Sequence, residues 1–346
     1  MNKTRRRIKS IKRNKKINKR NTKTQKHKCD SIGIKKSLTV SNINLIKALT
    51  RLHTPTSQEH RAQQFIMSFI KKNKHCWDHK PTIFTKGRFK NNIVVVFGKP
   101  KVAMFTHIDS VGFTVGHNHE LFDMGGIEYL NGAKLRGYDM NGKYVTSKLK
   151  RGGDHVKCLK KDNIPFGTNL TYLPKWKEDK HKIHSGNLDN KVGVFIGLCL
   201  ARHLKHGIIV FSCGEEVESG NVNFLTKFIH DKYNIGKTLI LDTTLGERNI
   251  KLGKGVVISM RDEDLPNPEY IKKIIGLAKK FKIPHQLEVS KSGSSDGKHI
   301  LNSPYMIDWA FVGPAIKHIH TNNEICHKID IVHTYNLYRK LIENLA

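Results

Sequence analysis

Gly207-Ile-Ile-Val-Phe-Ser-Cys-Gly-Glu-Glu216 is the stretch on which the reading of the fold turns. Its apolar run is short and rich in β-branched residues, which predicts a buried strand. The strand ends in two adjacent acids, Glu215 and Glu216. Paired carboxylates at the end of a buried strand are unfavourable unless a cation or a catalytic proton occupies them. The rest of the chain offers matching partners in His107, Asp109, Asp189, Asp242 and His320. Together these are the side chains a two-metal hydrolase needs.

Working outward from that strand, apolar spacing predicts helices over 42–51, 57–72, 188–206, 222–232, 268–281 and 331–345. Strands are predicted over 92–98, 101–107, 208–213, 238–241, 255–260, 286–289 and 306–312. The alternation implies an α/β fold, a mixed sheet with helices on both faces. The segment from about 116 to 180 is Gly-rich and polar, with short strands and little helical period, and reads as a small β insertion. No repeat of fixed period is present.

At 346 residues the chain can bury a large core, as one big domain with an insertion or as two domains. Lys and Arg number 62 against 29 Asp and Glu, a formal net charge of +33. Fourteen of the basic residues fall within the first 28 positions, which contain no acid. Removing those 14 from the 62 leaves 48 against 29, so the body is basic as well. Such a balance invites a nucleic-acid reading, and a basic body also suggests acidic peptides as substrates. Residues 1–36 read as a disordered basic tail: a solvated arm, or a nuclear-targeting or polyanion-binding one whose binding falls steeply with salt. The tail lacks an apolar core and is not a secretory signal. The longest apolar run, 192–201, is too short to span a bilayer. The six cysteines (Cys29, Cys76, Cys158, Cys199, Cys213 and Cys326) form no CxxC pair. They are expected to be reduced, with Cys199 and Cys213 buried. A cytoplasmic protein is the expectation, with nuclear or virion association through the tail as a variant.

Each candidate also has a plainer reading. His107 and Asp109 lie at i and i+2 in a strand, so they share a face. His107 could bind a metal while Asp109 orients its ring, or the two could be a surface pair; among 20 histidines a single one means little. Asp189 precedes an apolar helix and could cap it or bridge two cations. Glu215 and Glu216 point in different directions, so one can be a ligand while the other accepts a proton from metal-bound water. Asp242 closes the apolar run 239–241 and could be a ligand or a cap. His320 competes with His318, which shares its face. Gly293-Ser-Ser-Asp-Gly-Lys298 could cradle an anion or be a simple turn. Neither a GxxxxGK[ST] phosphate loop nor a GxSxG elbow is present.

The order of these pieces carries a resemblance. Met104-Phe-Thr-His-Ile-Asp-Ser-Val-Gly-Phe113, Leu188-Asp-Asn-Lys-Val-Gly193, Gly214-Glu-Glu-Val217, Leu241-Asp-Thr-Thr244, Leu252-Gly-Lys-Gly255, Gln286-Leu-Glu-Val289, Gly293-Ser-Ser-Asp-Gly297 and Ile319-His-Thr-Asn-Asn-Glu-Ile325 resemble the glutamyl/deblocking aminopeptidases. These are dinuclear-metal enzymes of the zinc-exopeptidase superfamily, often assembled as tetrahedra. The resemblance runs from about residue 43 to the C-terminus. It implies a zinc-exopeptidase-like catalytic domain over 37–113 and 181–346, and an inserted β-barrel-like dimerisation domain over 114–180. It implies two divalent ions, zinc first, with cobalt or manganese as alternatives. His107 and Asp242 would each bind one metal, Asp189 would bridge, and Glu216 and His320 would complete the two sites. Glu215 would be the general base and Asp109 would orient His107. Peptide substrates and a homodimer or larger homo-oligomer follow from the same resemblance. Asn190 stands where a second acid often follows the bridging Asp, and Lys191 where Arg is usual; neither change removes a ligand. The rival readings are a deacylase or carboxypeptidase on the same scaffold, and a basic nucleic-acid-binding protein with a degenerate peptidase fold.

Overall fold

The computed structural model describes residues 33–345 apart from positions 35, 154, 219, 248 and 292. The basic stretch up to residue 32, with Cys29, lies outside the described residues. At the centre is a five-stranded sheet in the order Thr82–Phe84, Ile93–Phe97, Gly207–Ser212, Ala103–His107, Thr238–Ile240. The first three strands pair antiparallel and the last three parallel, so the sheet is mixed. Every residue of the three middle strands is buried. They therefore lack an alternation of polar and apolar residues, as expected for strands covered on both faces.

Alternate side chains feed two cores. Ile93, Val95, Phe97, Met104, Ile209 and Phe211 pack with the helices Val40–Thr50, His60–Asn73, Leu188–Ala201 and Lys328–Asn344. Val94, Val96, Phe105, Ile208 and Val210 pack on the other face with the helices Asn221–Tyr233 and Asp296–Leu301. A three-stranded sheet (His285–Val289, Val256–Arg261, Val312–Gly313) and a five-stranded one from Lys177–Glu178 to Thr244–Leu245 extend the body.

A six-stranded antiparallel sheet is inserted between the strand Ala103–His107 and the helix Leu188–Ala201. It begins at Gly112–Val115 and ends at Asn169–Tyr172. It has a core of its own around Phe113, Leu135, Leu149 and Leu170. A bridge between Glu120 and Lys157 brings its two edges together, so the sheet is a nearly closed barrel. The fold is thus α/β with helices on both sheet faces and a barrel-like insertion.

Some local expectations are corrected. The helix predicted to 206 ends at Ala201, and Leu204 is buried in the following turn. Its apolar character extended the periodic pattern beyond the helix. In the run 306–312, Met306 is exposed while Ile307 and Trp309 to Val312 are buried, and a regular strand forms only at its end, Val312–Gly313. Before that it touches the edge strand through single bridges, Lys237 to Asp308 and Ile240 to Phe311. Gly293–Lys298 is more than a turn: Ser295 caps the helix Asp296–Leu301, its side chain accepting from the Gly297 amide at 3.2 Å. Cys158, Cys199, Cys213 and Cys326 are buried free thiols. Cys76, expected to be reduced, is disulfide-bonded. No helix among the described residues is long and apolar enough to cross a membrane.

Candidate metal centre

Strand register assembles the site. His107 lies level with Ser212 across the parallel pair, and Phe105 lies level with Ile240. The residues that follow, Asp109, Glu215, Glu216 and Asp242, therefore emerge at one edge, at the carboxyl ends of the strands, where α/β sheets place their ligands. Gly214, at φ +79°, turns the chain sharply so that both glutamates face this edge. Asp189 comes from the start of the helix Leu188–Ala201, where its backbone (φ −72°, ψ 117°) is not helical and its bond to Asn190 is cis. It does not act as the cap; Asn187 holds that position.

Asp189 meets a histidine with each oxygen. Its Oδ1 lies 3.1 Å from His107 Nε2 and its Oδ2 3.5 Å from His320 Nε2. His107 Nε2 is also 3.4 Å from Asp242 Oδ1 and 3.9 Å from Glu215 Oε2. His320 Nε2 is 3.4 Å from Glu216 Oε2. His318 is exposed and takes no part. Ligand atoms of His107, Glu215 and Asp242, and those of His107, Asp189 and Glu216, lie within 4.8 Å of one another. The first group contains Glu215, which the resemblance had set aside as the base.

These residues suit a pair of divalent cations. All are nitrogen or carboxylate donors of the kind zinc takes. Glu216 Oε1 is buried with no hydrogen-bond partner among the described residues. His320 Nδ1 is 2.8 Å from the Gly126 carbonyl, a contact that places the proton on Nδ1 and leaves the Nε2 lone pair for a metal.

The charges give the same indication. Burial pushes Glu215 well above the carboxylate range and Glu216 to about 7, and it raises Asp242. Burial alone would depress His107 and His320. The carboxylates outweigh it, led by Asp242 at His107 and Glu216 at His320, so His107 stands well above its ordinary value and His320 at about 10. Burial would likewise raise Asp189, yet the two imidazoles hold it low. A cluster that must retain protons to lower its charge is one that cations would neutralise.

Asp109 is fully buried beneath this layer. Its Oδ1 is 3.4 Å from His107 Nδ1, and Oδ2 accepts from the Thr56 hydroxyl at 2.8 Å. The Glu215 and Glu216 amides also donate to it, each at 3.3 Å. Lys191, fully buried, donates from Nζ to the carbonyls of Ile108 and Asp109 and to Ser110 Oγ, at 2.8, 2.7 and 2.9 Å. It braces the turn that carries Asp109. Asn190 ties the Thr106 hydroxyl to the Leu241 carbonyl and accepts from the Gly193 amide.

Two acids in the neighbourhood had no role in the sequence reading. Glu324 accepts from the Leu188, Asp189 and His320 amides at 2.6, 3.1 and 2.9 Å. It thus positions both histidine-facing sides of the centre. Asp296 accepts from the Ser212 hydroxyl at 2.6 Å, and burial pushes it up to about 7. Both lie inside motifs quoted above, and an acid opening the half-buried strand Glu324–His327 was the available signal. The centre opens into a cavity of about 530 Å³, whose far wall includes Thr243, Asp262, Glu288 and Phe311.

A sheet edge that gathers two histidines and a crowd of buried carboxylates over such a cavity defines a metal-dependent hydrolase of the exopeptidase type. Residues 157–337, more than half of the chain, match the M42 glutamyl aminopeptidase family. The chain belongs to that family, and it is a metal-dependent aminopeptidase. The match includes Asp189, Glu215, Glu216, Asp242 and His320, while His107 and Asp109 precede it. Solved structures share the fold. A TET aminopeptidase from a marine sediment Thaumarchaeota archaeon superimposes with a TM-score of 0.75 at 17% identity, covering 88% of this chain and 96% of its own. An aminopeptidase from Desulfurococcus kamchatkensis gives 0.75 at 20%, covering 88% and 94%. The Pyrococcus horikoshii TET1 peptidase, which can assemble into a tetrahedron or a large octahedral shell, gives 0.73 at 18%, covering 87% and 99%.

Proposed function

We propose that two divalent cations, zinc in the first instance, would be held by this cluster, one by His107 and Asp242, the other by Glu216 and His320, with Asp189 available to both. The observation that carries this reading is the pair of Asp189 oxygens, each directed at a different histidine. When bound, the cations would supply an activated water and polarise the first peptide carbonyl of the substrate. Glu215 Oε2 is the general base: it accepts a proton in the attack and returns it to the leaving amine. Asp109 orients His107 and holds the amides of Glu215 and Glu216 in place.

Residues 37–113 and 181–346 act as the catalytic unit, and 114–180 as the surface of self-association. Sedimentation of the full chain should then give a mass at least double the 39.6 kDa of one copy. A monomer at working concentration would remove the insertion's role.

Glu215→Gln should retain bound metal and lose on the order of 10²- to 10⁴-fold in kcat against aminoacyl substrates. N-acetylated peptides should resist the wild-type protein. Turnover by Glu215→Gln close to wild type would refute the assignment of the base.

A further inference from the structure

The wall of the catalytic cavity carries charge of a single sign outside the metal centre. Glu218, Asp262 and Glu288 line it, and among the described residues no lysine or arginine does. Glu218 is already matched, with both of its oxygens 3.1 Å from Lys298 Nζ. Asp262 and Glu288 are not. Asp262 is 8% exposed and, among the described residues, accepts from the Asp264 amide at 2.8 Å and the Ser295 hydroxyl at 3.4 Å. Glu288 accepts from the Thr244 hydroxyl at 2.7 Å. Each has neutral partners and no cation among the contacts described.

Register explains why the two acids face one space. The strands Val256–Arg261 and His285–Val289 run parallel, with Ser259 level with Glu288. Asp262 leaves the end of the first strand beside Glu288 near the end of the second. Burial pushes Asp262 up to about 6, and burial with the nearby Asp262 charge raises Glu288. The two acids also share their space with the candidate metal centre: the same cavity of about 530 Å³ is lined by His107, Glu215 and Asp242 on one side and by Asp262 and Glu288 on the other, so a side chain next to the reacting carbonyl is within the same enclosure as both acids.

We infer that Asp262 and Glu288 select peptides whose N-terminal residue is lysine or arginine, the cationic side chain lying between the two carboxylates. The inference rests on the aminopeptidase assignment and adds the substrate class. It runs against both the glutamyl description of the family and the basic net charge of the chain. An acidic side chain between Asp262 and Glu288 would meet two carboxylates that no lysine or arginine among the described residues pairs with. The charge that matters to a substrate is local, because the cavity wall touches it and the distant surface is screened. Lys298 is engaged with Glu218, and Lys291 lines an adjoining groove outside this cavity.

The test compares Lys-, Arg-, norleucyl- and Glu-p-nitroanilide on the full-length, metal-loaded protein. The ratio of kcat/KM for Lys over norleucine should be at least about tenfold, the weight of one charge-assisted hydrogen bond. Asp262→Asn and Glu288→Gln should each lower that ratio within the same protein, mainly through KM. A preference for Glu, or a Lys/norleucine ratio near one, would overturn the inference. Equal losses on all four substrates in the variants would also overturn it, because the acids would then hold the α-ammonium common to every peptide. Calorimetric binding of free L-lysine against L-norleucine gives a readout independent of turnover. If lysine binds more tightly but no substrate is cleaved, the aminopeptidase reading fails while the cavity's preference stands. If norleucine binds as well as lysine, the preference fails whatever the turnover.

Discussion

Glu324 shows how much of this centre depends on a residue that touches no candidate metal. Three backbone N–H groups converge on its carboxylate, from Leu188, Asp189 and His320. The two arms of the site are therefore tied to one buried acid. Glu324→Gln keeps the shape but replaces one acceptor oxygen with an NH₂ donor, which must face an amide that also donates. Metal affinity measured by competition with a chelator should fall by about 10- to 100-fold, as for other residues that orient ligands. Unchanged affinity would mean that Asp189 and His320 are placed without it. At this scale the chemistry of the ligands was legible: acids and histidines announce themselves by type. The choice between His318 and His320 was not, nor was the one between capping and bridging at Asp189. Both depend on where a side chain points after folding, and the local sequence is compatible with either.

Among the elements, the helix Leu188–Ala201 is the most constrained, with all of its residues buried. Gly193 lies where the helix meets the sheet edge. A Cβ there would stand 2.3 Å from Asn190 Oδ1, 2.4 Å from Thr106 Oγ1 and 2.8 Å from the Leu241 carbonyl. The last is backbone and cannot swing aside. Gly193→Ala should therefore destabilise by about 1–3 kcal/mol, the usual range for overpacking. Gly276, within the helix Pro268–Lys280, meets nothing within 4 Å. Gly276→Ala should stabilise by roughly 0.4–1 kcal/mol through the unfolded chain. Thermal unfolding of the two variants side by side checks the contrast, and equal shifts would show that crowding at Gly193 relaxes. Periodicity revealed these helices because it is a local property of the sequence. It failed where buried apolar residues sat in irregular backbone, as in the run 306–312, since burial alone has no period.

For the whole molecule, His53 marks the joint between the catalytic body and the inserted barrel. Its Nδ1 lies 3.2 Å from Thr171 Oγ1, and its ring packs edge-on against Tyr138 with centroids 5.5 Å apart. Arg136 of the barrel donates to the Leu52 carbonyl at 3.1 Å. Burial first, then the charges of Arg136 and Arg61, push His53 from 6.5 to about 3. The folded value lies below the unfolded one, so the unfolded chain takes up the proton first. Stability from this residue is full above pH 6.5 and is lost as pH falls towards 3. Urea unfolding of wild type and His53→Gln across that window should differ in slope by up to about 1.4 kcal/mol per pH unit. Parallel slopes would show that His53 titrates normally at the joint.

The chain's own residues determined the fold class and the types of candidate ligand, because apolar periodicity and side-chain chemistry are written locally. Tertiary structure alone decided the geometry of the centre, where His107 and Asp189 meet across 82 positions of sequence. It also decided that the cavity wall is acidic on a strongly basic chain. Contacts over such separations depend on how the sheet register and the chain crossings close in space, and no local stretch of sequence encodes them.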